Sequence, residues 1–152
     1  MDVKDLPKNT PGPEGYAGFL IWQLSNKWEK YINQTLSPFN ITQSESFHLI
    51  AILRLAQTHS EVTQVDVANA TGGSIMNTSK ILRKLEKKQW VTRQTSASDS
   101  RAKQVTVTEA GIAVSIEIAA VLAKADKAFY GADCPADFIP MLQSLNEKHK
   151  SR

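Results

Sequence analysis

Asn77, Lys80, Arg83, Lys84, Lys87 and Lys88 recur at spacings that place them on the outer face of one helix. Asparagine can pair two-pronged with an adenine edge, and lysine or arginine with guanine. Between residues 80 and 103 the chain holds eight basic residues, Lys80, Arg83, Lys84, Lys87, Lys88, Arg93, Arg101 and Lys103, opposed only by Glu86 and Asp99. That stretch carries a net +6 while the whole chain carries +3, so the remainder is net acidic. Positive charge gathered on a helix and the hairpin beside it is the electrostatic footprint of nucleic-acid binding. A plainer reading, a solvated helix face, is preferred for Lys87 and Lys88.

The elements that must position these residues follow from local pattern. Ser74 caps a helix over residues 74–88, about 22 Å long at about 1.5 Å per residue. Its inner face is Ile75, Thr78, Ile81, Leu82 and Leu85. Asn77, Ser79 and Lys80, with Arg83 or Lys84 one turn later, lie where such a helix meets base edges, and its free N-terminal amides suit a phosphate. A short helix precedes it from Thr63, with Asp66 as a cap-like partner, and Thr71-Gly72-Gly73 forms the turn between the two. Strands at 90–95 and 103–108 then pair across a polar tip. Asp99 and Arg101, two apart at that tip, point the same way in extended backbone. The acid can hold the arginine or pair with a basic residue on the helices. An arginine there suits the narrow, electronegative minor groove, whereas a surface ion pair alone is worth little.

On either side lie longer helices. The first runs from Tyr16 with Leu20, Leu24, Trp28, Tyr31 or Ile32, and Leu36 on its stripe, and ends at Pro38. The second opens on the capping box Thr42-Gln43-Ser44-Glu45 and is apolar on most faces, which predicts the buried centre of the fold. After the strands, Thr108 caps a helix over 109–129 with a stripe of Ile112, Ile116, Ala119, Ala120 and Ala123. A last helix over 136–149 carries Phe138, Ile139, Leu142 and Leu145. The expected architecture is mainly α with a small β-wing, a winged helix-turn-helix. Its parts are an arm at 1–15, helical regions at 16–40 and 109–150, and the DNA-binding region at 41–108. The apolar stripes of the outer helices suit pairing with a second subunit, although Leu142 and Leu145 can equally cap the chain's own core.

Other function classes find little support. The 152 residues contain a single cysteine, Cys134, and three scattered histidines, His48, His59 and His149, without metal-ligand spacing. Gly72-Gly73 is not a phosphate loop, so neither an enzyme, a metal nor a cofactor is expected. No apolar run approaches the roughly 20 residues of a membrane span, and no signal core is visible, so a cytoplasmic protein is expected.

The stretch resembles the winged-helix core of the multiple-antibiotic-resistance repressor (MarR) family, whose pattern has a leucine-alanine helix, a T-x-T-R-like start, L-E-K-K-G, and an aspartate-x-arginine wing running into L-T-x-x-G. The counterparts are Val67-Ala68, Asn77-Thr78-Ser79-Lys80, Leu85-Glu86-Lys87-Lys88-Gln89, Asp99-Ser100-Arg101 and Val107-Thr108-Glu109-Ala110-Gly111. The similarity covers about residues 16–148. Gln89 replaces the glycine that ends the family's helix, so a different turn into the wing is expected, and Lys80 replaces an arginine. The candidate DNA-binding set is Ser74, Asn77, Thr78, Ser79, Lys80, Arg83, Lys84, Arg93, Asp99, Arg101 and Lys103. The resemblance implies a homodimeric transcriptional repressor on a palindrome, its half-sites about 34–36 Å apart. It also implies release by a small aromatic or phenolic effector, with Trp22, Trp28, Tyr31, Phe47 and His48 as candidate lining. Each of those five reads more simply as core. Cys134, beside Asp133, is read as non-sensing. The competing reading is a winged helix that binds an acidic protein and has no operator.

Overall fold

Thr42, Thr63, Ser74 and Thr108 each accept a hydrogen bond from the backbone amide three residues on, and each starts a helix. Glu45 and Asp66 reach back to the amides of Thr42 and Thr63, which completes two capping boxes. The computed structural model describes residues 2–5, 7 and 9–150. In chain order it runs α1 (Ala17–Thr35), α2 (Gln43–Ala56), α3 (Gln64–Thr71), α4 (Ile75–Lys87), β1 (Val91–Thr95), β2 (Lys103–Val107), α5 (Glu109–Tyr130) and α6 (Phe138–Lys148). Of the 1–15 arm, Met1, Leu6 and Lys8 lie outside the described residues, and 3-10 turns occur at Val3–Asp5 and Pro13–Gly15.

The core lies where α2, α4 and the strands meet α1 and α5. Ile32, Leu36, Leu49, Ile52, Val67, Leu82, Leu85, Val91, Val105 and Ile118 are among its buried members. The strands pair antiparallel with Val91 opposite Val107 and Arg93 opposite Val105. The segment before α3 adds a short third rung: Thr63 bridges Gln104, and the Val105 amide donates to the Val62 carbonyl at 2.8 Å. The wing is thereby tied to the helix-turn-helix as well as to itself.

Two turns fix the direction of α4. Before it, Gly72 has φ +69°, its amide donates to Asn69 O and that of Gly73 to Ala68 O. This is the left-handed close of a helix, and glycine suits it. After α4 the same pair of bonds recurs, from Gln89 to Glu86 O and from Trp90 to Leu85 O, with Gln89 at φ +62°. The expectation that Gln89 would change this turn is therefore corrected. The backbone keeps the left-handed form and a glutamine occupies it, because the Thr108 hydroxyl donates to its carbonyl at 2.7 Å and the helix end is closed around it. Close by, a Cβ on Gly111 would lie 2.1 Å from the Trp90 carbonyl oxygen, so α5 can start against the wing only with glycine there.

Within one chain much of the apolar striping of the outer helices is uncovered, and one inner-face assignment changes. On α1 burial is confined to Trp28 and Ile32, and Leu20 and Leu24 stay exposed. On α5 the buried line is Gly111, Ser115, Ile118, Leu122 and Ala125, whereas Ile112 and Ile116 face outward. Both sides of α5 are apolar, and the close approach at Gly111 selects which one meets the core. Ile75, assigned to the inner face of α4, is exposed because it lies at the edge of the buried arc in the open first turn.

A non-glycine residue in the left-handed region costs about 1–2 kcal/mol, and glycine forfeits part of that gain to its freer unfolded chain. Gln89→Gly is therefore expected to raise stability by about 0.5–1 kcal/mol. Urea unfolding measures it; a lower midpoint would show that the glutamine side chain contributes more than its backbone costs.

Candidate nucleic-acid interface

Helix α4 buries Thr78, Ile81, Leu82 and Leu85, and this fixes what its far side presents. With Thr78 fully buried, its place in the candidate contact set is corrected: its hydroxyl faces the core, 3.5 Å from His48 Nε2. Opposite, Met76, Lys80, Arg83 and Lys87 follow each other at four-, three- and four-residue steps and are all exposed. Asn77 and Lys84 lie exposed along one side of that line. Ser79, half-buried, lies along the other, its hydroxyl 3.5 Å from Arg83 Nη2. Ser74 uses its hydroxyl on the Asn77 amide, 3.2 Å away, as the cap.

Acidic residues take up part of the cationic surplus. The Glu45 carboxylate is buried at the start of α2 and pairs with Lys88 Nζ at 2.9 Å and Lys84 Nζ at 3.8 Å. Lys88 also donates to the Asn40 carbonyl and sits 5.2 Å from the centre of the Trp90 ring. Arg93 turns toward the helices: it grips Glu86 through Nε and Nη2 at 3.2 and 2.8 Å, and Gln64 through Nη1 at 3.0 Å. Its hydrogen bonds hold the Glu86 carboxyl below the usual carboxylate range. Arg93, expected to be a contact residue, instead braces α4 and α3 against the wing. Lys103 stays exposed beside the wing tip, opposite Thr95.

At the wing tip, Asp99 Oδ1 accepts from the Arg101 amide at 3.0 Å and from its Nε at 3.3 Å. The Arg101 side chain remains 91% exposed, so the acid orients the guanidinium without covering it. Sequence reasoning missed what holds this tip. Ser96 is buried, and its hydroxyl oxygen accepts from the amides of Ser98 and Asp99 at 3.2 and 3.1 Å. Ser98 Oγ donates to Glu61 Oε2 at 2.9 Å, which ties the tip back to the segment before α3. Met76 was missed as well; its step to Lys80 and Arg83 is the signal that could have found it.

The five residues expected to line an effector site are not gathered around one cavity. Trp28 and Tyr31 belong to an aromatic cluster with Phe129 and Tyr130, at ring separations of 5.0–6.0 Å. Trp22 is 60% exposed near the start of α1, and Phe47 is exposed on α2. His48 is buried beside α4, its Nδ1 2.7 Å from the Ser44 carbonyl. A carbonyl only accepts, so Nδ1 carries the proton and Nε2 accepts from Thr78. Two open clefts, of about 760 and 520 Å³, have other linings: one between the end of α3 and the end of α6, the other between the α1–α2 connection and Lys84, Lys87 and Lys88. Cys134 is half-buried in the α5–α6 connection. Among the described residues there is no cluster of metal-ligating groups, and no helix is long and apolar enough to cross a membrane.

Removing the Ser96 hydroxyl frees two tip amides. Ser96→Ala is expected to speed hydrogen exchange at Ser98 and Asp99 while leaving exchange in α4 unchanged; equal protection in both proteins would show that the tip holds itself. Burial depresses the His48 pKa below 6.5. Below about pH 6.5 the unfolded chain then binds a proton that the folded chain refuses, so stability falls with falling pH, by at most about 1.4 kcal/mol per unit. His48→Gln should flatten that slope below about pH 6.5; an unaltered slope assigns it to other groups.

Comparison with known proteins agrees with this geometry. The MarR family profile matches residues 47–103, from within α2 to the start of β2. The uncharacterised HTH-type transcriptional regulator YdcH of Bacillus subtilis is 31% identical over 136 residues, covering 88% of this chain and 92% of its own. A mutant of MarR from E. coli, crystallised with operator DNA, superposes with TM-score 0.71 at 25% identity, over 86% of this chain and 91% of that one. BpsR of Bordetella bronchiseptica, whose DNA binding is regulated by 6-hydroxynicotinic acid, shares the fold with TM-score 0.78 at 17% identity, over 95% and 100%. The chain belongs to the MarR family of winged helix-turn-helix transcriptional regulators, DNA-binding proteins rather than enzymes.

Proposed function

We propose that this chain binds a palindromic operator as a homodimer and represses transcription from it until a small aromatic or phenolic effector releases it. The observation that carries the reading is the exposed line of Lys80, Arg83 and Lys87 on α4, beside a wing whose Arg101 is held by Asp99 yet left open. An α-helix fits the major groove, about 12 Å wide, and an arginine on a wing suits the minor groove beside it. Asn77, Ser79, Lys80 and Arg83 take the base edges, with Lys84, Lys103 and the capped start of α4 at Ser74 toward phosphates.

The second subunit is argued from exposed apolar surface. Leu20, Ile21, Trp22 and Leu24 on α1, Ile112 and Ile116 on α5, and Ile139, Met141 and Leu145 on α6 are uncovered within one chain. Patches on this scale mark interaction sites, and a two-fold pairing of outer helices covers them while presenting two reading heads. Support for an effector comes from relatives such as BpsR, and the aromatic surroundings of Trp28 and Tyr31 lie where the outer helices meet. Protein contact without an operator is the competing reading; the line of exposed cations on α4 beside the open Arg101 of the wing favours DNA.

A gel shift with DNA upstream of the chain's own coding region tests this. A palindrome should be retained in preference to random duplex, by a species that sediments as a dimer. With about eight phosphates neutralised per dimer, log affinity should fall with a slope near −7 against log salt. Arg101→Ala should weaken binding by about 1–3 kcal/mol. Equal affinity for operator and random DNA would favour the protein-contact reading, and an unaffected Arg101→Ala variant would take the wing out of the mechanism.

A further inference from the structure

Met76 is 83% exposed in the first turn of α4, and Ile75 beside it is 54% exposed. An uncharged apolar side chain is out of place on a face whose next members are Lys80 and Arg83. Met76 stands one turn before Lys80 on the same line, so whatever receives those two cations also receives the methionine. The receiving surface must therefore be anionic and yet offer an apolar group at a fixed distance from its charges. In the major groove of a duplex one base alone offers such a group on its edge: thymine, through its C5-methyl. A flexible, polarisable thioether suits contact with a methyl whose position varies slightly with local groove shape.

We infer that Met76 reads a thymine methyl in each half-site, next to the bases reached by Asn77 and Lys80. This rests on the operator-binding reading and deepens it by assigning a base and a group to one residue. The neighbouring polar contacts fix the helix in the groove, and Met76 discriminates thymine from cytosine and from the purines at its position. Burying one methyl corresponds to about a fourfold change in affinity per half-site, or about fifteenfold when both half-sites are altered together.

The test uses the full chain and a duplex enriched from a random-sequence pool by the chain itself. Each thymine of that duplex is replaced in turn by deoxyuridine, which removes the methyl and nothing else. One thymine per half-site should respond with about a fourfold loss. Met76→Ala should bind the thymine duplex more weakly and should not distinguish it from the deoxyuridine duplex. An unchanged affinity for random DNA, with the same salt slope, shows that the variant is folded. If no sequence is enriched, the operator reading itself fails, and this inference with it. If a sequence is enriched but no deoxyuridine weakens it, or the loss persists in Met76→Ala, the operator reading stands and the assignment to Met76 is overturned.

Discussion

The orientation of α4 depends on the burial of one face. Thr78, Ile81, Leu82 and Leu85 turn toward α2 and α3, and the three aliphatic side chains contribute about 1.5–3 kcal/mol each. A helix has no freedom to rotate once such a face is packed, so the opposite line is presented by default. Changes to the exposed side can alter what is recognised without altering how the helix is held. The turns at Gly72 and Gln89 close both ends of this arrangement through the same pair of backbone bonds.

Counting charges along the chain overstates what is offered to a partner. Lys88 and Arg93 lie in the basic stretch, yet each is bound to an acid and to a neutral acceptor as well. The partly buried pairs are positional: Glu45 with Lys88 ties α2 to the end of α4, and Glu86 with Arg93 ties α4 to the wing. What remains for an external anion is Lys80, Arg83, Lys87, Arg101 and Lys103, with Lys84 loosely shared with Glu45. These exposed cations lie on α4 and the wing.

Much of this was legible in local sequence because it is locally determined. A serine or threonine followed three residues on by an acid fixes a helix start through bonds within one turn, and Thr42 and Thr63 behave as that rule requires. The polar tip with Asp99 and Arg101 was readable for the same reason. The partners of Lys88 and Arg93 were not, since Glu45 precedes Lys88 by 43 residues and Gln64 precedes Arg93 by 29. Nor was the buried side of α5, whose two apolar faces give the same periodicity. The choice between them is made by a contact between Gly111 and the Trp90 carbonyl that only the folded chain brings about. Ile75 and Met76 were misjudged or passed over because periodicity gives the direction of a face and not where its cover ends.

The two-faced character of α5 follows from what it joins. Its first turn rests on Trp90 at the base of the wing, and its last residues, Phe129 and Tyr130, are packed against Trp28 and, through Tyr130, against Phe138. Between these ends run 22 residues, about 33 Å at about 1.5 Å per residue, with no glycine after Gly111 and no proline to bend them. One side of it belongs to the chain's own core, and Ile112 and Ile116 are exposed on the other. Its two anchored ends thereby join the aromatic cluster to the base of the wing, beside the turn at Gln89 that closes α4.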